Sequence, residues 1–489
     1  MAVRSSPQQL AFRHRVLALT WADVSVSLRS VGVAFVLIGL ALRIGWYAAD
    51  VCVWWDEAWL ILNVLDKSFV ELTGPLENNQ AAPPAFLWAV KTCVVLFGDG
   101  THALRLVPSL ASCAALVLVA AVGRGYPRSA AWVAAILLAG SSKMLAHGAE
   151  VKPYTLDACV AAALAVWFCR SADLPLTTRL KTAVGLCPLV VLLVYPGCFL
   201  AGGVWLGLAV NARRRSDALL LGLVGLATLA AFAIVLSGPG GAQQTPALRA
   251  YWQSGFPDWS RPLAVPRWLV SNTAGIYRYC LYPLGTVFVP LAAIGFASLW
   301  RSGRRDVAVF LAGPLTLALV AGLLGKYPFS GSRLHLYAAP GLALLVAAGA
   351  VPVWGWFGTL GLRRAVFARA ALALVAVWGT IEGAVFPLHD AARADVRGAV
   401  AFVKTRPAGC SVVVCDHMFL YYLRHEPDVA LWSDAPEFPP GPVWVVDMLA
   451  PEASHMSFSL FARDQGRITD KHPFGPAVVF RLAALSGAE

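Results

Sequence analysis

The chain alternates between long apolar runs and short polar segments. An apolar run of about 20 residues is long enough to cross a bilayer as a helix, and the pattern predicts about eleven such spans. Two of them, 182–196 and 198–210, form either a tight hairpin that turns at Tyr195-Pro196-Gly197 or one broken element. The predicted spans are 30–48, 103–122, 129–146, 154–169, 182–196, 198–210, 218–236, 282–300, 307–325, 334–353 and 370–386.

Composition and charge agree with a polytopic, all-α membrane protein. Of 489 residues, 58% are hydrophobic and only 13% are charged, whereas soluble domains carry about 25% charged residues. The net charge of +12 comes from short arginine clusters between spans. Clusters of this kind set orientation by staying in the cytoplasm, so they do not indicate a nucleic-acid partner. We therefore expect a protein of the cytoplasmic (inner) membrane with a cytoplasmic N-terminus and an uncleaved first span.

The same threading assigns the remaining loops and the C-terminal segment to the extracytoplasmic side. Residues 1–386 are predicted to form the transmembrane domain, with a first outer loop at 49–102, and residues 387–489 a small extracytoplasmic α/β domain. Cys410 and Cys415 bracket a strand of this domain and are either bridged or free. Its predicted elements are a helix within 394–406 and strands at 410–415, 442–448 and 476–482.

Acidic residues stand where the first span ends, in the stretch "VWWDEAWL" (53–60). The segment 56–66 has helical spacing, and adjacent side chains on a helix point about 100° apart. Asp56 and Glu57 therefore do not face one reacting atom. One is expected to act, while the other supports it, binds a metal ion or faces water, so a divalent cation at these two residues is possible.

Two other outer loops supply cations, aromatics and a further acid. Their residues suit a site that holds an anion at headgroup depth beside a base. Arg333 suits a phosphate because a guanidinium matches it bidentately, and Lys152 and Lys326 would act as point charges. Tyr154, Tyr327 and His335 are candidates for a sugar pocket, and Glu150 for a second catalytic acid.

This grouping predicts glycosyl transfer from a polyprenyl phosphate. The leaving phosphate needs cations more than a proton, whereas the acceptor hydroxyl must lose a proton, which a positioned Asp56 can take. Arg43 lies inside the first span, where a charge is costly unless it reaches a cavity or snorkels. We expect Arg43 to snorkel to the outer surface.

Several of these stretches resemble a known family. Trp55-Asp56-Glu57, the Pro83-Pro84 step, "FGDGTHALRLVPSL" and "AEVKPYTLD" resemble the amino-terminal half of the dolichyl-phosphate-mannose protein mannosyltransferase superfamily, which has the GT-C fold and includes bacterial lipid A aminoarabinose transferases. The segment 327–349 is similar to uncharacterised bacterial members. The resemblance implies an inverting membrane glycosyltransferase with Asp56 as base. Lys152 stands where the family commonly has arginine.

Other functions remain open at this point. A polysaccharide polymerase or ligase that uses polyprenyl diphosphate would want several arginines in a long outer loop, and 237–281 contains Arg249, Arg261, Arg267 and Arg278. A lipid-linked sugar transporter or flippase is a third possibility, but transporters often show internal repeats and this chain has none. The sequence identifies neither the sugar nor the acceptor, which is a glycan, a lipid or a protein.

Overall fold

The computed structural model describes residues 29–123, 125–283, 285–357, 395–432, 441–448 and 468–484, together with scattered positions between 370 and 385. The described residues from 29 to 357 are mostly helical, as the apolar pattern predicts. Their α-helices are α1 Arg29–Ala49, α2 Trp55–Asp66, α3 Pro84–Phe97, α4 Thr101–Ala121, α5 Arg128–Ala139, α6 Ser142–Gly148, α7 Tyr154–Arg170, α8 Leu176–Leu193, α9 Gly197–Ala209, α10 Arg215–Ser237, α11 Pro239–Ala242, α12 Pro246–Tyr251, α13 Val265–Cys280, α14 Val289–Arg301, α15 Arg305–Leu323 and α16 Ala339–Phe357.

Seven helices in the described part of the chain are long and apolar enough to cross a membrane. The number rises to nine if each of two bent helix pairs is one span. These pairs are α5 with α6, bent by 63°, and Pro262–Cys280 with Gly285–Arg301, bent by 109°. The predicted span 198–210 is the 13-residue helix α9, and most of the predicted span 370–386 lies outside the described residues.

Small residues let neighbouring helices approach closely. Gly295 on α14 and Gly349 on α16 face each other, and a Cβ added to either would collide with a backbone carbonyl of the other helix. Close backbone approach at small residues is how membrane helices gain packing energy without a hydrophobic driving force between them. The crossing of α14 and α16 therefore depends on these two glycines.

Arg43 does not snorkel, and this prediction was wrong. Its side chain is 2% exposed and lies inside the bundle, where Nη2 donates to the carbonyl of Leu138 at 3.0 Å and Nε to the Ser112 hydroxyl at 3.0 Å. Leu138 and Ala139 end α5 just before the bend to α6. A broken helix frees carbonyls that must find donors within the protein, and Arg43 supplies them.

The first outer loop is built around α2 and α3. The helix α2 begins at Trp55, which places Asp56 and Glu57 in its first turn, where the helix dipole favours acids. Leu60 and Ile61, one turn further along α2, are buried as well. The predicted helix 56–66 is thus confirmed, and α3 begins at Pro84, a residue suited to a first helical position.

The C-terminal segment contains a five-stranded sheet. Its order is β2-β1-β3-β5-β4, with β1 parallel to β2 and β3, and β5 antiparallel to β3 and β4. The three predicted strands are present, and Cys410 and Cys415 are free thiols. The elements are α17 Val396–Val403, β1 Ser411–Val414, α18 His417–Leu423, β2 Val429–Leu431, β3 Val443–Met448, β4 Ile468–Phe474 and β5 Ala477–Leu482.

This segment packs directly on the first outer loop. Phe419 and Leu423 of α18 share a buried cluster with Leu60 of α2, and the Tyr422 hydroxyl accepts a hydrogen bond from the Val53 amide at 2.9 Å. The predicted boundary at 386/387 lies outside the described residues. Through this packing, the sheet segment covers the part of the first outer loop that contains Asp56.

Candidate active site

Three polar side chains meet at Asp56, and the four residues come from three outer loops. The carboxylate is 4% exposed. Its Oδ1 accepts hydrogen bonds from Lys152 Nζ at 3.2 Å and from Gln80 Nε2 at 3.4 Å, and its Oδ2 accepts one from the Arg333 guanidinium. We call Asp56, Gln80, Lys152 and Arg333 the Asp56 cluster. The three loops that the sequence places on one face of the membrane therefore converge.

The Asp56 cluster carries two cations for one carboxylate. Burial alone would raise the pKa of Asp56, but the charges of Lys152 and Arg333 outweigh burial and the pKa is lowered. Burial also lowers the pKa of Lys152, and the neighbouring carboxylate opposes this effect. With Asp56 ionised, the cluster retains an excess of positive charge that an anion can neutralise.

Arg333 is held in place by aromatic rings. It begins the short 3₁₀-helix Arg333–Ala338, and its guanidinium carbon lies 5.9 Å from the ring centre of Tyr154 and 5.8 Å from that of Trp252. Its buried Nε has no hydrogen-bond partner among the described residues. A buried donor without a partner is costly, so Arg333 keeps an N–H available to a ligand.

Glu57 serves a different purpose from its neighbour. Both carboxylate oxygens bind the Arg105 guanidinium, at 2.8 Å to Nε and 2.7 Å to Nη2, and Oε1 also accepts the Val151 amide at 3.0 Å. Glu57 and Arg105 are each 2% exposed. We call them the Glu57 pair. This fully matched ion pair ties the start of α2 to α4 and to the second outer loop.

Glu150 belongs to a hydrogen-bonded chain. Its Oε2 lies 2.7 Å from His147 Nδ1, and His147 Nε2 lies 2.6 Å from the Tyr279 hydroxyl. Burial would raise the pKa of Glu150, but the interactions with His147, Arg333 and Lys152 together outweigh burial and the pKa is lowered. Glu150 is therefore an ionised neighbour of the Asp56 cluster and not a proton donor.

A cleft opens on the Glu57 side of α2. Its volume is about 260 Å³, and it is bounded by α1, α6, α13 and the sheet segment. Its polar lining comes from the Glu57 pair, Lys143 and the Glu150–His147–Tyr279 chain. We call it the outer cleft. Asp56 and Arg333 are not among the lining residues, so Asp56, Glu150 and Arg333 do not line one cavity here. The Asp56 cluster lies next to the outer cleft but does not line it.

The other predicted binding residues lie beside the Asp56 cluster or away from it. The Arg333 guanidinium lies over the Tyr154 ring, as described above. His335 is fully buried among aromatic rings, with its ring centre 5.7 Å from that of Tyr327. The Tyr327 hydroxyl donates to the Leu334 carbonyl at 2.9 Å. Lys326 is exposed and makes no contact with the Asp56 cluster among the described residues. Sugar contacts by Tyr327 and His335 would need a different arrangement.

The residues around Asp56 do not form a metal site as they stand. Among the described residues, no group of three or more His, Cys, Asp or Glu side chains is placed to hold a metal ion. The Asp56 oxygens accept from Lys152, Gln80 and Arg333, and Glu57 is occupied by Arg105. A divalent cation would have to replace these donors, so a metal at Asp56 and Glu57 stays a prediction from the sequence.

Sequence reasoning missed several residues of this region. Arg105 stands in the stretch "FGDGTHALRLVPSL" and Gln80 in the first outer loop, but nothing in the pattern shows that Arg105 pairs with Glu57 or that Gln80 contacts Asp56. His147 was also missed, although its spacing of three residues from Glu150 puts both on one face of a helical turn. Tyr279 and Trp252 stand in loop 237–281, of which the sequence analysis considered only the arginines.

Comparison of the sequence with protein-family models and with curated proteins gave no match. Among solved structures, the chain is similar to ArnT, the lipid A aminoarabinose transferase, from Cupriavidus metallidurans. Its apo crystal structure is 17% identical with a TM-score of 0.52, and the match covers 97% of this chain and 100% of that chain. The crystal structure of ArnT bound to undecaprenyl phosphate is 16% identical with a TM-score of 0.50, and it covers 96% of this chain and 100% of that chain.

A further similarity is to the oligosaccharyltransferase of Archaeoglobus fulgidus tethered with an acceptor peptide, which is 12% identical with a TM-score of 0.48 and covers 89% of this chain and 71% of that chain. The likeness to ArnT over nearly the whole length shows the fold. The GT-C fold expected from the sequence is therefore confirmed.

Proposed function

We propose that the chain is an integral membrane glycosyltransferase of the cytoplasmic membrane. It moves a sugar from a polyprenyl-phosphate donor to an acceptor hydroxyl on the extracytoplasmic face, with inversion at the anomeric carbon. The donor is a membrane lipid, and the acceptor is a glycan, a lipid or a protein. Asp56 is the general base, and Arg333 and Lys152 hold the phosphate.

The observation that carries this proposal is the excess of cations around one buried carboxylate. Arg333 and Lys152 come from loops 181 residues apart and both bind Asp56. A cluster with this charge is suited to the singly charged phosphodiester of the donor and to the second charge that develops as the phosphate leaves, because charge-assisted hydrogen bonds to phosphate are strong and an arginine can make two at once. The unpaired Arg333 Nε supplies one of them.

The chemistry follows from these positions. The bond between sugar C1 and the phosphate oxygen breaks, and its electron pair stays on the phosphate, where Arg333 and Lys152 stabilise the charge. The acceptor oxygen forms the new bond to C1 from the opposite side, and its proton passes to Asp56. A phosphate that engages both cations competes with Asp56 for them, which raises the proton affinity of the carboxylate when the donor is bound.

Similarity of fold adds support, since the ArnT structure was solved with undecaprenyl phosphate. The alternative of a polymerase that uses a polyprenyl diphosphate receives no such support from the arginines of loop 237–281. Arg249, Arg261, Arg267 and Arg278 are all exposed, and none of them contacts the Asp56 cluster among the described residues.

The test is sugar transfer in proteoliposomes from a set of synthetic undecaprenyl-phosphate hexoses and pentoses. Asp56→Asn is expected to lower the transfer rate by about 10² to 10⁴ fold, the usual contribution of a general base. It should bind undecaprenyl phosphate at least as tightly as the unmodified protein, because a negative charge has been removed from the cluster. Asp66→Asn is the matched control: it makes the same change at the exposed end of α2. Transfer that survives Asp56→Asn unchanged would remove the mechanism.

A further inference from the structure

The outer cleft has a polar end and an apolar wall. At the polar end, Glu150 and His147 lead to the Tyr279 hydroxyl. The wall includes Met418 and Met448 from the sheet segment. At about 260 Å³, the cleft is smaller than the ~300–1,000 Å³ of drug-sized pockets. It therefore admits one small group, such as a single sugar ring, and not a folded chain.

The charges that line the outer cleft are already engaged within the protein. Arg105 binds Glu57, and His147 binds Glu150. Lys143 Nζ lies 5.6 Å from the Tyr279 ring centre and 5.7 Å from that of Tyr282. A charged ligand would have to break one of these contacts. The cleft is therefore suited to an uncharged ligand with hydroxyl groups at one end and an apolar part at the other.

The hydrogen-bond chain fixes what Tyr279 can offer. When His147 is neutral and its Nδ1–H donates a hydrogen bond to Glu150, His147 Nε2 is an acceptor and the Tyr279 hydroxyl donates to it. The lone pairs of the Tyr279 oxygen are then left to accept a hydrogen bond from a ligand hydroxyl. His147 and Glu150 act through Tyr279 as positioning residues.

We propose that the outer cleft binds the hydroxyl-bearing end of an uncharged, saccharide-containing amphiphile, the acceptor of the transfer. This inference rests on the proposed function, because "acceptor" has meaning only if sugar is transferred. The proposed function puts the donor phosphate at Arg333 and Lys152, whose charges act on Glu150 at the polar end of the outer cleft, so an acceptor hydroxyl at this end lies towards the donor. The sheet segment forms part of the wall, so a ligand reaches the cleft from the headgroup region beside it.

A native cysteine gives a direct readout. Cys52 lines the outer cleft and is partly exposed. We would reconstitute the full chain in nanodiscs, treat it with a small maleimide and quantify alkylation of Cys52 by peptide mass spectrometry, with Cys415 as the internal reference. The probe is octyl β-glucoside, and octyl sulfonate is its charged counterpart. Octyl β-glucoside should slow alkylation of Cys52 several-fold and leave Cys415 unchanged, whereas octyl sulfonate should leave both unchanged.

Substitutions then locate the hydrogen bond. Tyr279→Phe should raise the half-protecting concentration of octyl β-glucoside by about three- to tenfold, as expected for one hydrogen bond. Tyr282→Phe is the matched control. Glu150→Ala should have a similar effect, and Glu150→Gln should have a smaller one, because the amide oxygen can still accept from His147. Neither Tyr279→Phe nor Tyr282→Phe should alter binding of undecaprenyl phosphate.

The inference fails if octyl β-glucoside gives no selective protection of Cys52, or if Tyr279→Phe and Tyr282→Phe protect alike. It also fails if undecaprenyl phosphate protects Cys52 and displaces the glucoside, since the cleft would then be the place of the donor. These outcomes are distinct from a failure of the proposed function, because protection is measured without sugar transfer. Selective protection combined with unchanged transfer by Asp56→Asn would remove the proposed mechanism but leave the binding site.

Discussion

Asp56 and Glu57 are neighbours in sequence, equally buried, and opposite in what surrounds them. Glu57 meets one guanidinium that matches both of its oxygens and is locked further by the Val151 amide. Asp56 meets Lys152, Arg333 and an amide at Gln80. The Glu57 pair is neutral and complete. The Asp56 cluster is positive and leaves a guanidinium N–H of Arg333 unused.

The comparison shows that two adjacent residues in one helical turn can have different roles, one in stability and the other in chemistry. A buried ion pair whose hydrogen bonds are all made has no free donor or acceptor for a ligand. Removing one partner leaves the other as an uncompensated buried charge. A buried cluster with excess charge is poised for a counter-ion. The 100° between adjacent helical side chains allows both arrangements to stand side by side at the start of α2.

The largest expected effect is on stability, at the Glu57 pair. Arg105→Met leaves Glu57 buried without its cation, and breaking such a pair costs about 3–5 kcal/mol. Glu57→Gln together with Arg105→Met should recover most of the loss, because position 57 then carries no charge, Asp50 keeps its ion pair with Arg397, and the Gln oxygen still accepts the Val151 amide. Thermal unfolding in nanodiscs measures both. If the double variant is no more stable than Arg105→Met, the damage does not come from an unpaired charge.

The Asp56 cluster should respond in ligand binding instead. Arg333→Lys keeps the charge but loses the guanidinium fork, so undecaprenyl phosphate should bind about tenfold to a hundredfold more weakly, in line with the ~1.5–3 kcal/mol of a hydrogen bond to a charged group. Arg249→Lys makes the same change at an exposed outer-loop arginine. Equal affinities of the two variants, measured by titration in nanodiscs, would remove Arg333 from phosphate binding.

Convergence of these loops could be predicted from the sequence, but the pairing within them could not. The positive-inside pattern puts Asp56, Lys152 and Arg333 on one membrane face, and spans packed in one bundle bring such loops close. Arg105 gives no such signal: its partner depends on how α4 packs against the start of α2, which apolar runs do not encode. The fold was therefore predictable at the level of helices and faces, while the contacts depend on their packing.

Two errors have identifiable physical causes. Arg43 was expected at the surface because it lies five residues before the end of its predicted span. The Gly140-Ser141 step within the predicted span 129–146 is a common place for a helix to break, and the break frees the Leu138 carbonyl that Arg43 binds. The strand Ile468–Phe474 was missed because its residues are largely polar and half-exposed, without the apolar alternation that identifies a strand. It forms an edge of the sheet.

A smaller effect is expected in the pH dependence of transfer. Because the pKa of Asp56 is lowered, the base form is lost only as pH falls below the ordinary carboxyl range of about 3.9. In Lys152→Gln, burial is opposed only by Arg333 and by the hydrogen bond from Gln80, so the pKa of Asp56 rises and the acidic limb of kcat/KM moves to higher pH. Lys67→Gln, at an outer-loop lysine that binds Glu77, should leave the limb in place. An acidic limb that is identical in all three proteins would show that Asp56 does not control it.

The smallest expected effect lies at the rim, where the sheet segment meets the first outer loop. Asp99 binds Arg424 at 2.6 Å and His425 at 2.9 Å, with side chains that are 41%, 19% and 73% exposed. The hydrogen bond from Arg424 is the main reason that the pKa of Asp99 is lowered, so its contribution to stability is present at neutral pH and is lost as pH falls through the lowered pKa.

Exposed pairs are worth about 0–1 kcal/mol and weaken with salt. Asp99→Asn should therefore shift thermal unfolding only slightly at low salt and not at all near 1 M salt, where screening acts within about 3 Å. The loss in Arg105→Met should persist at both salt concentrations, because that pair is sealed from solvent. If the two variants respond alike to salt, then burial is not what distinguishes the Glu57 pair from a surface contact, and the contrast between Glu57 and Asp56 loses its physical basis.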